Sequence, residues 1–178
     1  MAFNIEQFKS NFGDGGARPN LFQVTLNFPS TVTAAPTTTP FMIRAAQIPS
    51  STIAQVDVPY QGRQVRVAGN RTFEPWTVTI LNAENFSVRN SLEKWMSSIN
   101  GHESNIGQDR ASSYKADAIV KHFGKDGREL SNGVYNFIGL FPTELSTIEL
   151  AWDSNDVIEE FTCTFAFDYW QHAGVVTT

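Results

Sequence analysis

"VPYQGRQVRVAGNRTFEPWTVTIL" (Val58–Leu81) changes character half-way along. Its first half spaces Arg63, Arg66 and Arg71 among glycine and polar residues. Its second half places Trp76, Val78 and Ile80 on one face of a two-residue alternation, the period of a half-buried strand. Together with the residues before it, the stretch 53–69 reads as an extended excursion or long hairpin that returns into a sheet at 75–81.

The flanking sequence repeats the β theme. "LFQVTLNF" (21–28) alternates Phe22, Val24, Leu26 and Phe28 against Gln23, Thr25 and Asn27. "FMIRAAQI" (41–48), "YKADAIVKHF" (114–123), "VYNFIGLF" (134–141) and "STIELAW" (146–152) are expected strands. "VIEEFTCTFAFDYW" (157–170) alternates most cleanly, Phe161, Cys163, Phe165, Phe167 and Tyr169 against Glu160, Thr162, Thr164, Ala166 and Asp168. Residues 9–20, 29–40 and 101–113 read as loops, from their Gly, Asn, Pro and Thr content. One helix is expected over about 85–99, where Val88, Leu92, Trp95, Met96 and Ile99 recur at helical spacing. Asn85 is its expected cap, and Asn100-Gly101 its left-handed end. Roughly seven strands at hairpin spacing and one helix predict an antiparallel β-barrel or sandwich of two packed sheets, flanked by that helix and carrying long extended loops.

The chain has 178 residues, which favours one domain spanning 1–178. Thirteen Lys+Arg against 18 Asp+Glu leave a net charge of −5, a poor basis for tight phosphate binding. Only 17% of residues are charged, where about 25% is usual. Thr, Ser, Asn and Gln take their place, a composition suited to packing against copies or a partner. One cysteine, Cys163, excludes an intrachain disulfide and a cysteine-based zinc site. No apolar run is long enough to span a membrane, and the first residues lack the order of a signal peptide, so synthesis in a cytoplasm is expected.

Chemistry is sparse. His102, His122 and His172 stand far apart, with no metal-ligand spacing. "GDGGA" (13–17) lacks the strand and helix of a phosphate cradle and reads as a loop. "DSNDVIEE" (153–160) matches a calcium loop only at its start and reads as a turn between strands. Glu159 and Glu160 point to opposite faces of a strand, so they form no carboxylate pair. Cys163 lies on an apolar face, where a thiol is inert packing. No catalytic constellation, metal site or cofactor is expected, and the chain does not read as an enzyme.

"VPYQGRQVRVAGNRTFEPWTVTILN" resembles the signature of tail tube proteins of contractile-tailed, T4-like bacteriophages. The resemblance runs on through "NSLEKWMSSING", "GVYNFIGLFPTELSTIELAWDSND" and "IEEFTCTFAFDYW", from about Phe41 to Trp170. It implies homohexameric rings stacked into a hollow tube, and a place in the virion. It implies a contractile sheath outside, tape-measure protein and then double-stranded DNA inside, and baseplate and tail terminator proteins at the ends. Related tubes serve type VI secretion and extracellular contractile injection systems, the alternative role. On this reading 47–71 reaches out to bridge subunits or rings, with Tyr60, Gln61, Arg63, Arg66 and Arg71 as contact residues. The arginines would pair with carboxylates of neighbouring subunits, a match for their planar fork. Glu160, Thr162, Thr164 and Asp168, with Ala166, are candidates for the channel wall.

Overall fold

The computed structural model describes residues 4–12, 16–33 and 36–173. In chain order the elements are α1 (Ile5–Phe12), β1 (Phe22–Leu26), α2 (Thr39–Met42), β2 (Ile43–Ala46), β3 (Ser51–Tyr60), β4 (Arg63–Phe73) and β5 (Trp76–Leu81). There follow α3 (Ser87–Ile99), α4 (Ala111–Tyr114), β6 (Ala116–Phe123), β7 (Glu129–Leu145), β8 (Glu160–Ala166) and β9 (Tyr169–His172). Seven strands form one antiparallel sheet in the order β1-β6-β7-β8-β5-β2, with β9 added alongside β7, and β3 and β4 pair only with each other.

The large sheet is two packed halves because β7 belongs to both. Its first part pairs with β6 and β9, and its last residues, Phe141–Leu145, pair with β8. The change of direction falls at Gly139, whose φ is +70°. A Cβ there would lie 2.2 Å from the Asp168 carboxylate, so only glycine fits. Asp117 Oδ1 accepts the Gly139 N–H at 3.1 Å, and Lys115 Nζ grips Asp168 at 2.6 and 2.8 Å. Bent this way, β7 brings Phe137 onto Trp76 of β5 in a parallel stack, centroids 4.4 Å apart. The halves do not close into a barrel, since β1 and β2 remain the two ends of the strand order.

The core is what the alternation predicts. Val24 and Leu26, Trp76, Val78 and Ile80, and Phe161, Cys163 and Phe165 are all buried. Burial pushes the Cys163 thiol well above its ordinary range, with Arg89 acting in the opposite sense, so the thiol stays protonated and unreactive. Helix α3 covers the core with Val88, Leu92 and Trp95, and the Trp95 indole N–H donates to the Tyr114 carbonyl at 2.7 Å.

Several expectations fail. The helix is capped differently. Asn85 does accept the Ser87 N–H, but the boundary residue is Phe86, at φ +50°. At its other end Asn100 is extended and bridges to Gly107, so no left-handed Asn-Gly end exists. Four helical segments and nine strands are present among the described residues, not one and seven. Lys9–Phe12, read as loop, belongs to α1, an amphipathic helix with no buried residue. Phe41 and Met42, read as strand, close the short helix α2.

"STIELAW" is not a strand. Ser146 still exchanges hydrogen bonds with Thr162, but the chain then departs, because β8 begins only at Glu160 and offers no partner before it. The alternation of 157–170 breaks at Asp168, where the chain follows β7 from one half to the other and leaves Tyr169 exposed. Of the glycine-rich reading at 13–17, residues 13–15 lie outside the described residues, as does the tail after Ala173.

Gly139→Ala is expected to lower stability by about 2 kcal/mol, the cost of a strained φ before any displacement of Asp168. A denaturation midpoint matching the parent would show that β7 does not depend on this bend.

Candidate functional site

The strands β3 and β4 form a hairpin with no buried residue. Their two-residue loop is Gln61-Gly62, between the paired Tyr60 and Arg63, with φ of +46° and +81°. Both positive values define the turn that matches the right-handed twist of the strands. A bulge interrupts the register between Ile53 and Gln55, where Gly69 lies against Ala54: a Cβ on Gly69 would sit 3.0 Å from the Ala54 carbonyl oxygen. At the root, Phe73 packs tilted against Phe167 and edge-on against Trp170.

The register sorts the hairpin into two faces. Val56 pairs with Val67, Val58 with Val65 and Tyr60 with Arg63, which places an exposed apolar stripe on one side. Asp57 pairs with Arg66 on the other, joined at 3.8 Å, with Gln55 Nε2 donating to Asp57 at 2.7 Å. So Arg66 has a partner within its own chain, in an exposed pair of small value. Arg63 and Arg71 have no acidic partner among the described residues. The five predicted contact residues are all on this hairpin, Tyr60, Gln61, Arg63 and Arg66 toward the tip and Arg71 apart from them near the root.

The outer face of β5 and β8 is a field of threonine. Thr77 faces Thr164 and Thr79 faces Thr162, and the Thr143 hydroxyl donates to the Thr164 carbonyl. Glu160 is on this face, neutralised by a hydrogen-bonded ion pair with Arg44 of β2. Thr162, Thr164 and Glu160 are thus brought together as expected. Asp168 stands apart, beyond the end of β8 in the Lys115 clamp. Arg44 was missed because it lies 116 residues from Glu160 in sequence. Arg89 was missed too. It donates to Glu93 and to the Ser146 carbonyl and lies over the Phe161 ring, tying α3 to the start of the segment 146–159.

That segment is exposed and apolar. Leu150, Trp152, Val157 and Ile158 are all more than two-thirds exposed, from 67% to 103%. Between it and β5 and β8 runs a groove of about 660 Å³, lined among others by Thr79, Leu150, Trp152, Val157 and Glu160. Among the described residues, no cluster of His, Cys, Asp or Glu is placed to hold a metal ion, and no helix is long and apolar enough to cross a membrane.

Residues 17–173 match the family model of the phage tail tube protein. The chain belongs to the phage tail tube protein family. It is 34% identical over 155 residues to tail tube protein gp19 of Enterobacteria phage T4, covering 87% of this chain and 91% of that one. Its fold is shared with a chain of the anti-feeding prophage baseplate, at TM-score 0.65 and 10% identity over 92% of this chain and all of that one. It is also shared with a chain of the sheath/tube terminator of the PVC extracellular contractile injection system, at TM-score 0.64 and 16% identity, covering 89% and 96%. As a member of the tail tube family, the chain is a structural component of a contractile phage tail, and so of the virion.

Gly62→Val is expected to destabilise the tip of the hairpin by about 1–2 kcal/mol, the cost of a left-handed backbone for an L side chain. Amide exchange should quicken in residues 55–67 while the core melts as before. Unchanged exchange would show that the turn does not hold the hairpin.

Proposed function

We propose that this chain forms homohexameric rings that stack into the hollow inner tube of a contractile phage tail, the conduit for DNA ejection. The observation that carries the reading is the hairpin β3–β4. It extends roughly 30 Å, at about 3.3 Å per residue. None of its residues is buried, and beyond Phe73 at its root no aromatic contact ties it to the body among the described residues. A two-stranded ribbon alone is marginally stable in water, so a surface outside the chain is needed to hold it.

Two further features support rings. The half-sheet β2-β5-β8-β7 ends on open edges, β2 on one side and Phe141–Leu145 of β7 on the other. Open edges are a hazard to a monomer, and joining them around a ring removes it. The threonine face supports a channel. Its side chains are short and uncharged, and the Arg44–Glu160 pair leaves it near neutral, so a duplex could slide without being held. Arg63 and Arg71, without an acidic partner among the described residues, and Arg66, weakly paired, would meet carboxylates of neighbouring subunits, with Tyr60 and Gln61 at the tip beside them. A sheath would surround the tube, tape-measure protein and then double-stranded DNA would fill it, and baseplate and terminator proteins would close its ends. The alternative, a tube of an injection or type VI secretion system, shares the fold. The 34% identity to a phage tail tube protein favours the phage role.

Electron microscopy of the purified protein at rising concentration, alone and with tube-capped baseplates, tests this reading. Rings or hollow tubes are expected, and a monomer under both conditions would overturn it. Arg66→Glu with Arg71→Glu is expected to raise the concentration needed for tubes by about tenfold or more, as like charges meet carboxylates. Tubes forming as in the parent would remove the arginines from the interface. Thr164→Lys is expected to spare tube formation and slow DNA ejection. Ejection at the parent rate would place the threonine face away from the channel.

A further inference from the structure

The hairpin and the segment 146–159 are complementary surfaces on one molecule. The hairpin, residues 51–73, carries Arg63, Arg66 and Arg71 against the single carboxylate Asp57. The segment carries Glu149, Asp153, Asp156 and Glu159 and no lysine or arginine. Glu149, Asp153 and Asp156 have no cation within ion-pairing distance among the described residues. Each surface also exposes an apolar stripe. On the hairpin it is Val56, Val58, Tyr60, Val65 and Val67, and on the segment Leu150, Trp152, Val157 and Ile158. Singly, either would be a large apolar patch in water, and such patches mark contact sites.

We propose that the groove between segment 146–159 and the outer ends of β5 and β8 is the receptor for the β3–β4 hairpin of a second copy of this chain, taking the Thr79, Glu160 and Thr162 end of the threonine face and leaving Thr77, Thr143 and Thr164 to the channel wall. The valine stripe of the hairpin covers Leu150, Trp152 and Val157, and Arg63 at the tip reaches Glu149 or Asp153. The contact is head-to-tail, since donor and receptor are different parts of the surface. Such a contact leaves each added copy with a free hairpin or a free groove, and it propagates. This also accounts for an acidic, aromatic loop that the sheet itself does not use: Trp152 is fully exposed in the isolated chain. The proposal rests on the self-assembling reading above and names the surface that receives the hairpin.

Two variants with one added cysteine each test it, Val58→Cys and Leu150→Cys, with the native Cys163 buried and silent. Each is assembled alone, the two are mixed, and a double variant is made. All are treated with a short bis-maleimide and the products separated by size under denaturing conditions. Covalent dimers are expected from the mixture and a ladder from the double variant, with neither from single variants. A charge exchange provides a second readout. Arg63→Glu should raise the assembly concentration about tenfold, and adding Glu149→Arg in the same chain should restore most of it. Tubes that form without the cross-link, or an exchange that restores nothing, overturn the docking while leaving tube assembly intact. A protein that neither assembles nor cross-links overturns the docking together with the reading it rests on.

Discussion

The bend of β7 at Gly139 is the constraint on which the rest of the structure depends. One strand of 17 residues supplies hydrogen bonds to β6 and β9 before the bend and to β8 after it. Without the bend the sheet would run on flat, with Trp76 and Phe137 unable to stack face to face. The backbone must take a left-handed conformation there, which glycine does at no steric cost. Two carboxylates and one ammonium then hold it: Asp117 on the Gly139 N–H, and Asp168 across the position a Cβ would occupy, itself held by Lys115. The same bend takes Phe141–Leu145 away from β6 and leaves the other edge of that stretch without a strand partner.

Against that well-buried body stands a hairpin with the opposite energetics. Its strands gain little from their own contacts beyond the cross-strand valine pairs and the Phe73 anchor at the root. A subunit built this way keeps its apolar stripe in water until a second surface covers it. The same division serves a tube. In the proposed tube the rigid body would shape the wall, and the hairpin would be fixed only once a neighbour is present. The segment 146–159 shows the same trait, with Leu150, Trp152, Val157 and Ile158 exposed and Glu149, Asp153 and Asp156 in no ion pair among the described residues.

Much of the body was legible because alternation is a local property. Trp76, Val78 and Ile80, or Phe161, Cys163 and Phe165, announce a face wherever the strand is placed. The hairpin was legible in outline, as an extended excursion or long hairpin over 53–69, while its turn at Gln61-Gly62 and its register came from the structure. "STIELAW" shows the limit. Ile148, Leu150 and Trp152 share a face, but a strand also needs a partner, and β8 begins too late to provide one. Asp168 shows another. By alternation it belongs with Thr162 and Thr164, and it is taken from them by a change of sheet that no two-residue period can reveal.

By itself, then, the sequence determined the class of the fold, the extended hairpin with its arginines, the inert cysteine and the absence of any recognisable catalytic pattern, because each of these follows from neighbours along the chain. Only the tertiary structure decided that the sheet bends at Gly139 without closing, that Arg66 already has Asp57, that Arg44 neutralises Glu160, and that 146–159 turns its tryptophan to solvent. Those depend on residues far apart in sequence meeting in space, and on strands having or lacking a partner, which the local pattern does not encode.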